Sequence, residues 1–487
     1  MLFFQKTAQG YHFMQYRIIN VFKNFREKIY NFFSSRRDAS FELVDALSSN
    51  ISANSVADLS LNPAHRRNYC SITRVVDEFY PENCDKKAIN DELTKILSEQ
   101  CVPPTQQTFY LFGVDCTPNP RRYSPTQQDR GFVYAPNTIS GNKPVTIGHQ
   151  YSMVAYLPEK IGGNNPPWIM PLACHRVTTD EKGPLIGMQQ ITRCIESQEK
   201  FKNKLCVVAA DSAYSSPECL VESAKNSNQI QISRVRSNRI FHYQANEENN
   251  AKTGRKKQFG DQFKLKDETT WREPDEKIEL TAMTKKGKKQ IVKIKCWNSI
   301  IMRGKLKANT SDHPFRLVQI CVYKGSGKLF FKKPLWLMVS GERRLELSLQ
   351  NIFDAYRQRF DIEHFFRFGK NKLLMDKSQT PDVEHEEAWW QLIMIAYAQL
   401  YLARDIAKNS PKPWEKYLPT FKSDKKTSPT QVQKDFWRII RTFGTPALPP
   451  KRLKNAAGRQ KGEKQILRIR YPVVQKSKVA QPVAAPA

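Results

Sequence analysis

Two short, almost wholly apolar runs, each ending on an aspartate, constrain this chain most. TFYLFGVDCT (108–117) leads to Asp115, and KLCVVAADSAY (204–214) leads to Asp211. Apolar, aromatic runs of this length between polar segments read as buried strands. KPVTIGHQYSMVAYL (143–157), PPWIMPLAC (166–174) and QIQISRVR (229–236) read as further strands. LIGMQQITRCIESQEKF (185–201) reads as an amphipathic helix, and SPECLVESAKN (216–226) as a helix capped by Ser216 with Pro217 at its first position. This order predicts an α/β sheet with Asp115 and Asp211 at strand ends, where site residues of such folds gather. An aspartate after a strand is also an ordinary turn or cap residue.

A third acid lies far downstream. NIFDAYRQRFDIEHFFRFGKNK (351–372) contains no Pro, and its only Gly is Gly369, so the spacing predicts one helix. At 100° per residue Tyr356, Arg359, Glu363 and Lys370 share an arc of about 60° over roughly 21 Å. Glu363 on that face suits a metal, and the other three suit a phosphate backbone. Arg359 and Glu363, four residues apart, also have the spacing of an ordinary surface ion pair. Seven Ile and Phe residues wrap the rest of the helix, so most of it is expected to be buried.

Charge narrows the partner. The chain has 487 residues, 40% of them hydrophobic, and a formal net charge of +31. Such an excess implies a polyanion, nucleic acid or an anionic membrane surface. No apolar run approaches the roughly 20 residues needed to span a bilayer, and no secretory signal is evident, which places the protein in the cytoplasm. None of the ten Cys forms a CxxC pair, and the eight His show no zinc-like spacing, so the thiols read as reduced and mostly buried.

The remaining stretches frame the core. Residues 1–105 read as helical, with Ser40 and Ser55 as expected N-caps. Arg66 and Arg67 there suit either a DNA-end-binding domain or a solvated helical cap. Arg121 and Arg122 follow the first acid in a polar loop (118–130). Residues 237–344 read as an antiparallel β insertion with basic loops, including KKGKK (285–289) and a strand-like KLFFKK (328–333). Trp271, Trp297 and Trp336 within it suit core packing or stacking on an unpaired base. EHEEAWWQLIMIAYAQLYLARDIA (384–407) is an apolar helix expected to pack on the sheet. After a linker, TSPTQVQKDFWRIIRTFG (427–444) is a helix, followed by a basic tail expected to be unstructured.

Asp115, Asp211 and Glu363 form an ordered set, and Tyr-x2-Arg-x3-Glu-x6-Lys stands at 356–370. The chain resembles the DDE transposases of bacterial insertion sequences, in the branch carrying that signature. The resemblance implies an RNase H-like core, a mixed sheet flanked by helices at 106–236 and 345–407. The β-rich insertion (237–344) would interrupt it, with an N-terminal helical domain before and a basic C-terminal region (408–487) after. Asp115, Asp211 and Glu363 would hold two Mg²⁺ ions, Mn²⁺ being possible. Tyr356, Arg359 and Lys370, with Arg66, Arg67, Arg121 and Arg122, would contact DNA. The implied activity is cleavage at terminal inverted repeats and transfer of the 3′ ends into target DNA by a homodimer on double-stranded DNA near the nucleoid, with hairpin ends during excision. A stand-alone RNase H-like nuclease or resolvase, or a non-catalytic DNA-binding regulator, is the alternative.

Overall fold

A computed structural model describes residues 2–135, 144–162, 165–245, 258–283, 289–304, 310–409, 414, 417, 426–451, 462 and 468–474, with side chains at 2–15, 283, 408 and 409 left aside. Most of KKGKK, the linker after residue 409 and most of the basic tail lie outside the described residues.

The chain opens with five helices: α1 (Leu2–Phe32), α2 (Arg37–Ser48), α3 (Val56–Leu59), α4 (Tyr69–Asp77) and α5 (Lys86–Glu99). Ser55 caps α3 through the Asp58 N–H, as its sequence context predicts. Ser40 does not cap α2. That helix begins three residues earlier, after Arg36 in a left-handed conformation, and Ser40 lies buried inside it.

β1 (Phe109–Pro120), β2 (Gly131–Tyr134), β3 (Val145–Tyr156) and β4 (Met170–Val177) follow, then α6 (Gly183–Glu196) and α7 (Glu199–Lys202). The expected helix at 185–201 is therefore two helices. Next come β5 (Leu205–Ala210), α8 (Pro217–Ser223) and β6 (Gln229–Val235). Ser216 caps α8 with Pro217 in its first turn. β5 lies parallel between β1 and β6, while β3 is antiparallel to β1 and β4 to β3.

The stretch 237–344 is antiparallel β: β7 (Ile240–Gln244), β8 (Phe259–Lys264), β9 (Glu276–Met283), β10 (Lys289–Ile301), β11 (Phe315–Lys324) and β12 (Leu335–Ser340). It does not form a sheet of its own. β12 pairs antiparallel with β6, so all twelve strands belong to one sheet ordered β2-β3-β1-β5-β6-β12-β11-β10-β7-β8, with β4 on β3 and β9 on β10. KLFFKK is not a strand; only a bridge from Leu329 to Tyr323 remains of it. Trp271, Trp297 and Trp336 pack together around Phe263 in a second hydrophobic core, and the Trp297 and Trp271 indole N–H groups donate to the Arg272 and Lys264 carbonyls. Core packing thus accounts for these rings.

The chain closes with α9 (Leu349–Gln358), α10 (Phe360–Lys372), α11 (Val383–Asn409) and α12 (Pro429–Phe443). α11 runs through the main core with Trp389, Trp390 and Tyr401 fully buried. α1, α2, α12 and β4 all contact it, and residues from Phe22 to Leu97 join the same continuous cluster. Residues 1–105 are therefore not set apart by a core of their own. Part of the tail is ordered: the Tyr471 and Val474 N–H groups donate to the Pro125 and Arg130 carbonyls. No helix among the described residues is long and apolar enough to cross a membrane.

Candidate active site

The register of three parallel strands builds the site. The last pairs are Val114–Ala210 between β1 and β5, and Ala210–Ser233 between β5 and β6. The next residues along are Asp115, Asp211 and Arg234, which therefore stand side by side where the parallel ladder ends. β1 itself continues to Pro120 against β3, with Asp115 opposite Met153. Asp115 is thus inside a strand, at the point where its parallel neighbour stops.

Side chains alternate along β1. Val114 and Cys116 face α6, which comes close because Gly183 and Gly187 lack side chains. A Cβ on Gly187 would sit 2.7 Å from Val114 Cγ2 and 2.9 Å from the Tyr214 hydroxyl. Asp115 and Thr117 face the other way, toward α9 and α10. Arg359 Nη1 lies 3.7 Å from Asp115 Oδ2 and its Nη2 donates to Glu363 Oε1 at 2.8 Å. The Lys370 ammonium donates to Thr117 Oγ1 and the Pro118 carbonyl, both at 2.9 Å.

The expected single helix at 351–372 is two segments that meet at Arg359. The Arg359 N–H reaches back three residues to the Tyr356 carbonyl, a tightened 3₁₀-type step. This step falls on the residue whose buried guanidinium two carboxylates hold, so no Pro or Gly marks it.

Electrostatics ties the group together. Burial pushes the Asp115 carboxyl up to about 7; Arg359 opposes this, and the negative charges of Asp211 and Glu363 add to it. Asp115 Oδ1 accepts the Cys116 N–H at 2.8 Å, and Asp211 Oδ1 accepts the Ala213 N–H at 2.8 Å, capping a short 3₁₀ turn at 212–214. The cap role of Asp211 thus coexists with its place beside Asp115. Tyr356 is buried, and burial holds its hydroxyl above the usual phenol range, opposed by Arg359 and Arg234. Burial also lowers the Lys370 ammonium, against the pull of Asp376.

Other expected site residues lie elsewhere. Arg121 is buried, its Nε donating at 2.6 Å to Glu386, which also accepts from Gln127, His149 and Tyr151. Arg66 and Arg67 both pair with the buried Glu42 and donate to the Ala447 and Leu448 carbonyls. Arg122 is exposed in the loop after β1. Sequence reasoning missed Arg234. Its signal was the end of an apolar strand on a charged residue, as at Asp115 and Asp211.

The donor set fits a hard divalent cation. It is carboxylate oxygen throughout, and a desolvated Asp115 flanked by two acids is short of positive charge. Arg359 supplies part of that charge. Among the described residues no three His, Cys, Asp or Glu side chains are already gathered as a chelating cluster.

The family model described as DDE superfamily endonuclease matches residues 28–294, more than half of the chain. The protein belongs to the DDE superfamily of endonucleases. The match includes Asp115 and Asp211 and ends before the helix bearing Glu363. No curated protein matches the chain.

Proposed function

We propose that this DDE endonuclease is a DNA transposase. It would bind the terminal inverted repeats of its insertion sequence as a homodimer, cleave double-stranded DNA there, and join the 3′ ends to target DNA. The observation that carries this reading is the pairing of two acids from distant segments, with a third linked to them through an arginine. Asp115 and Asp211 stand side by side at the end of adjacent parallel strands, and Glu363 is tied to Asp115 through Arg359. Residues 106–236 and 345–407 would then be the RNase H-like core, and 237–344 its β insertion.

Asp115, Asp211 and Glu363 would hold two Mg²⁺ ions, or Mn²⁺, which supply Lewis acidity to the attacked phosphate and lower the pKa of a water or 3′-hydroxyl nucleophile. Arg359 neutralises the two carboxylates it touches and can turn its planar guanidinium to a phosphate once their charge is otherwise met. Arg234, exposed beside Asp211, is placed to hold a non-bridging phosphate oxygen. Tyr356 lies under Arg359, whose guanidinium stands 5.7 Å from its ring centroid, and helps to orient it, so its direct phosphate contact is secondary. Lys370 fixes the outer half of β1 to α10 and adds positive charge behind the strand. Arg122 stays among the DNA contacts. Arg66, Arg67 and Arg121 are assigned to the scaffold, because each is already met by a buried carboxylate.

The test uses purified protein, DNA ends flanking its own gene and a supercoiled target plasmid, with Mg²⁺, Mn²⁺ or EDTA. Metal-dependent nicks at the element boundary with joined products are expected, and hairpinned ends would mark the excision route. Cutting without joining would refute strand transfer and leave an endonuclease. Specific binding without cutting in either metal would refute the catalytic reading.

A further inference from the structure

The connection between β11 and β12 carries exposed aromatic and basic side chains near the sheet end that holds Asp211, and nothing in the catalytic scheme uses them. β11 pairs with β12 as far as Ile320–Leu335, and β12 pairs with β6 as far as Trp336–Val235. Because β12 is antiparallel to β6, its first residue lies at the sheet end that holds Asp211 and Arg234. β11 continues past that line by four residues to Lys324, paired throughout with β10. At about 3.3 Å per residue the ribbon projects ~13 Å beyond the edge, and three strand spacings of about 4.8 Å place it ~14 Å to the side of Asp211.

The end of this ribbon is preformed. The Gly327 N–H donates to the Lys324 carbonyl, the Lys324 N–H to the Lys328 carbonyl, and the Phe330 N–H to the Val322 carbonyl. Gly327 takes a φ of 76° that the turn needs and that favours glycine. Beyond the turn, Phe330 and Phe331 are 44% and 58% exposed, with ring centroids 4.7 Å apart. Lys324, Lys328, Lys332 and Lys333 surround them. Residues 324–334 contain no acid, and these lysines make no ion pair among the described residues. A rigid arm that exposes two rings among unpaired cations matches the chemistry of a nucleic acid, with phosphates for the ammonium groups and base faces for the rings. Its place on the catalytic edge of an endonuclease favours DNA over a lipid surface or a second copy of the chain.

We propose that the Lys324–Lys333 arm grips the DNA beside the cleavage site, laying its lysines on phosphates and pressing Phe330 and Phe331 against an opened base step. Lys324 lies six residues along from the level of Asp211, so a duplex seated on the acids would pass the arm within about seven base pairs at 3.4 Å each. The proposal rests on the endonuclease reading of the acids.

The test uses the full-length protein and a fluorescent duplex of its own element end, in EDTA so that no strand is cut. K328A/K332A/K333A should flatten the slope of log affinity against log salt by about 2–3, at roughly 0.9 per lost phosphate contact. F330A/F331A should keep the slope, weaken binding about tenfold, and abolish permanganate reactivity of thymines near the boundary. Both variants alter exposed side chains and should melt like the wild type. Wild-type slope, affinity and reactivity in both would overturn the proposal, as would a wild type that binds no DNA. If F330A/F331A instead loses sedimentation with anionic vesicles or dimer mass, the arm belongs to a membrane or a second copy and the proposal falls. A wild type that binds and unstacks DNA yet cuts in no divalent metal would refute the catalytic reading while leaving the arm. Normal cutting by both variants, with unaltered binding, would do the reverse.

Discussion

Replacing Asp115 with Asn should abolish cleavage and yet stabilise the protein in EDTA. The Asp115 carboxyl has an ordinary value of 3.8, and burial between β1 and α10, with Asp211 and Glu363 nearby, raises it to about 7 in the fold. Between these values the unfolded chain has released the proton that the native state keeps, so stability falls as pH rises from about 4 to about 7. A difference of about three pH units at roughly 1.36 kcal/mol each amounts to ~4 kcal/mol lost above pH 7. Some exposure of the carboxylate and the flexibility of its neighbours reduce this, and a gain of about 1–3 kcal/mol for D115N at pH 8 is expected. The assay is urea unfolding of both proteins in EDTA at pH 5 and pH 8, repeated with Mg²⁺ at pH 8. The gap between the two should be smaller at pH 5 than at pH 8, and Mg²⁺ should restore the wild type while leaving D115N unchanged. A D115N protein that is less stable than wild type at pH 8 would refute the account of Asp115 as a desolvated, charge-starved carboxyl. A wild type whose stability is flat between pH 5 and pH 8 would refute it equally.

Three further outcomes follow from the same geometry. Glu386→Gln leaves Arg121 buried without a counter-charge, so urea unfolding should show a loss of about 3–5 kcal/mol; a change under ~1 kcal/mol would remove this cluster from the scaffold. Arg234→Ala should cut cleavage by about 10- to 100-fold at unchanged thermal stability, because its side chain is exposed and interacts with substrate charge; wild-type turnover would exclude it from the site. Glu363→Gln keeps a hydrogen-bond acceptor for Arg359 but lacks the carboxylate charge, so metal-dependent cutting should vanish while binding of the duplex persists; residual cutting within about tenfold of wild type would exclude Glu363 as a ligand.

Local pattern determined a large part of this molecule. The apolar runs at 108–117 and 204–214, short and bounded by polar segments, form buried strands, and Ser216 with Pro217 starts a helix through backbone chemistry alone. Asp115 and Asp211 stood out in the sequence for the same reason, as charged residues closing apolar runs. The roles of the arginines did not. Arg121, Arg66 and Arg67 read as DNA contacts from charge and position, but charge carries no direction, and only the packed structure shows Glu386 and Glu42 waiting for them. The break at Arg359 was likewise invisible, since no Pro or Gly marks it and Asp115, one of the two carboxylates around its guanidinium, lies on a distant strand. Register decided the rest. That Asp115, Asp211 and Arg234 share one edge depends on which strands pair and where the parallel ladder ends, a long-range property that a linear pattern of period two cannot encode. The same pairing runs β12 against β6 and leaves residues 328–333, which read as a strand, as an exposed turn and connection on the side of the sheet end that holds Asp211.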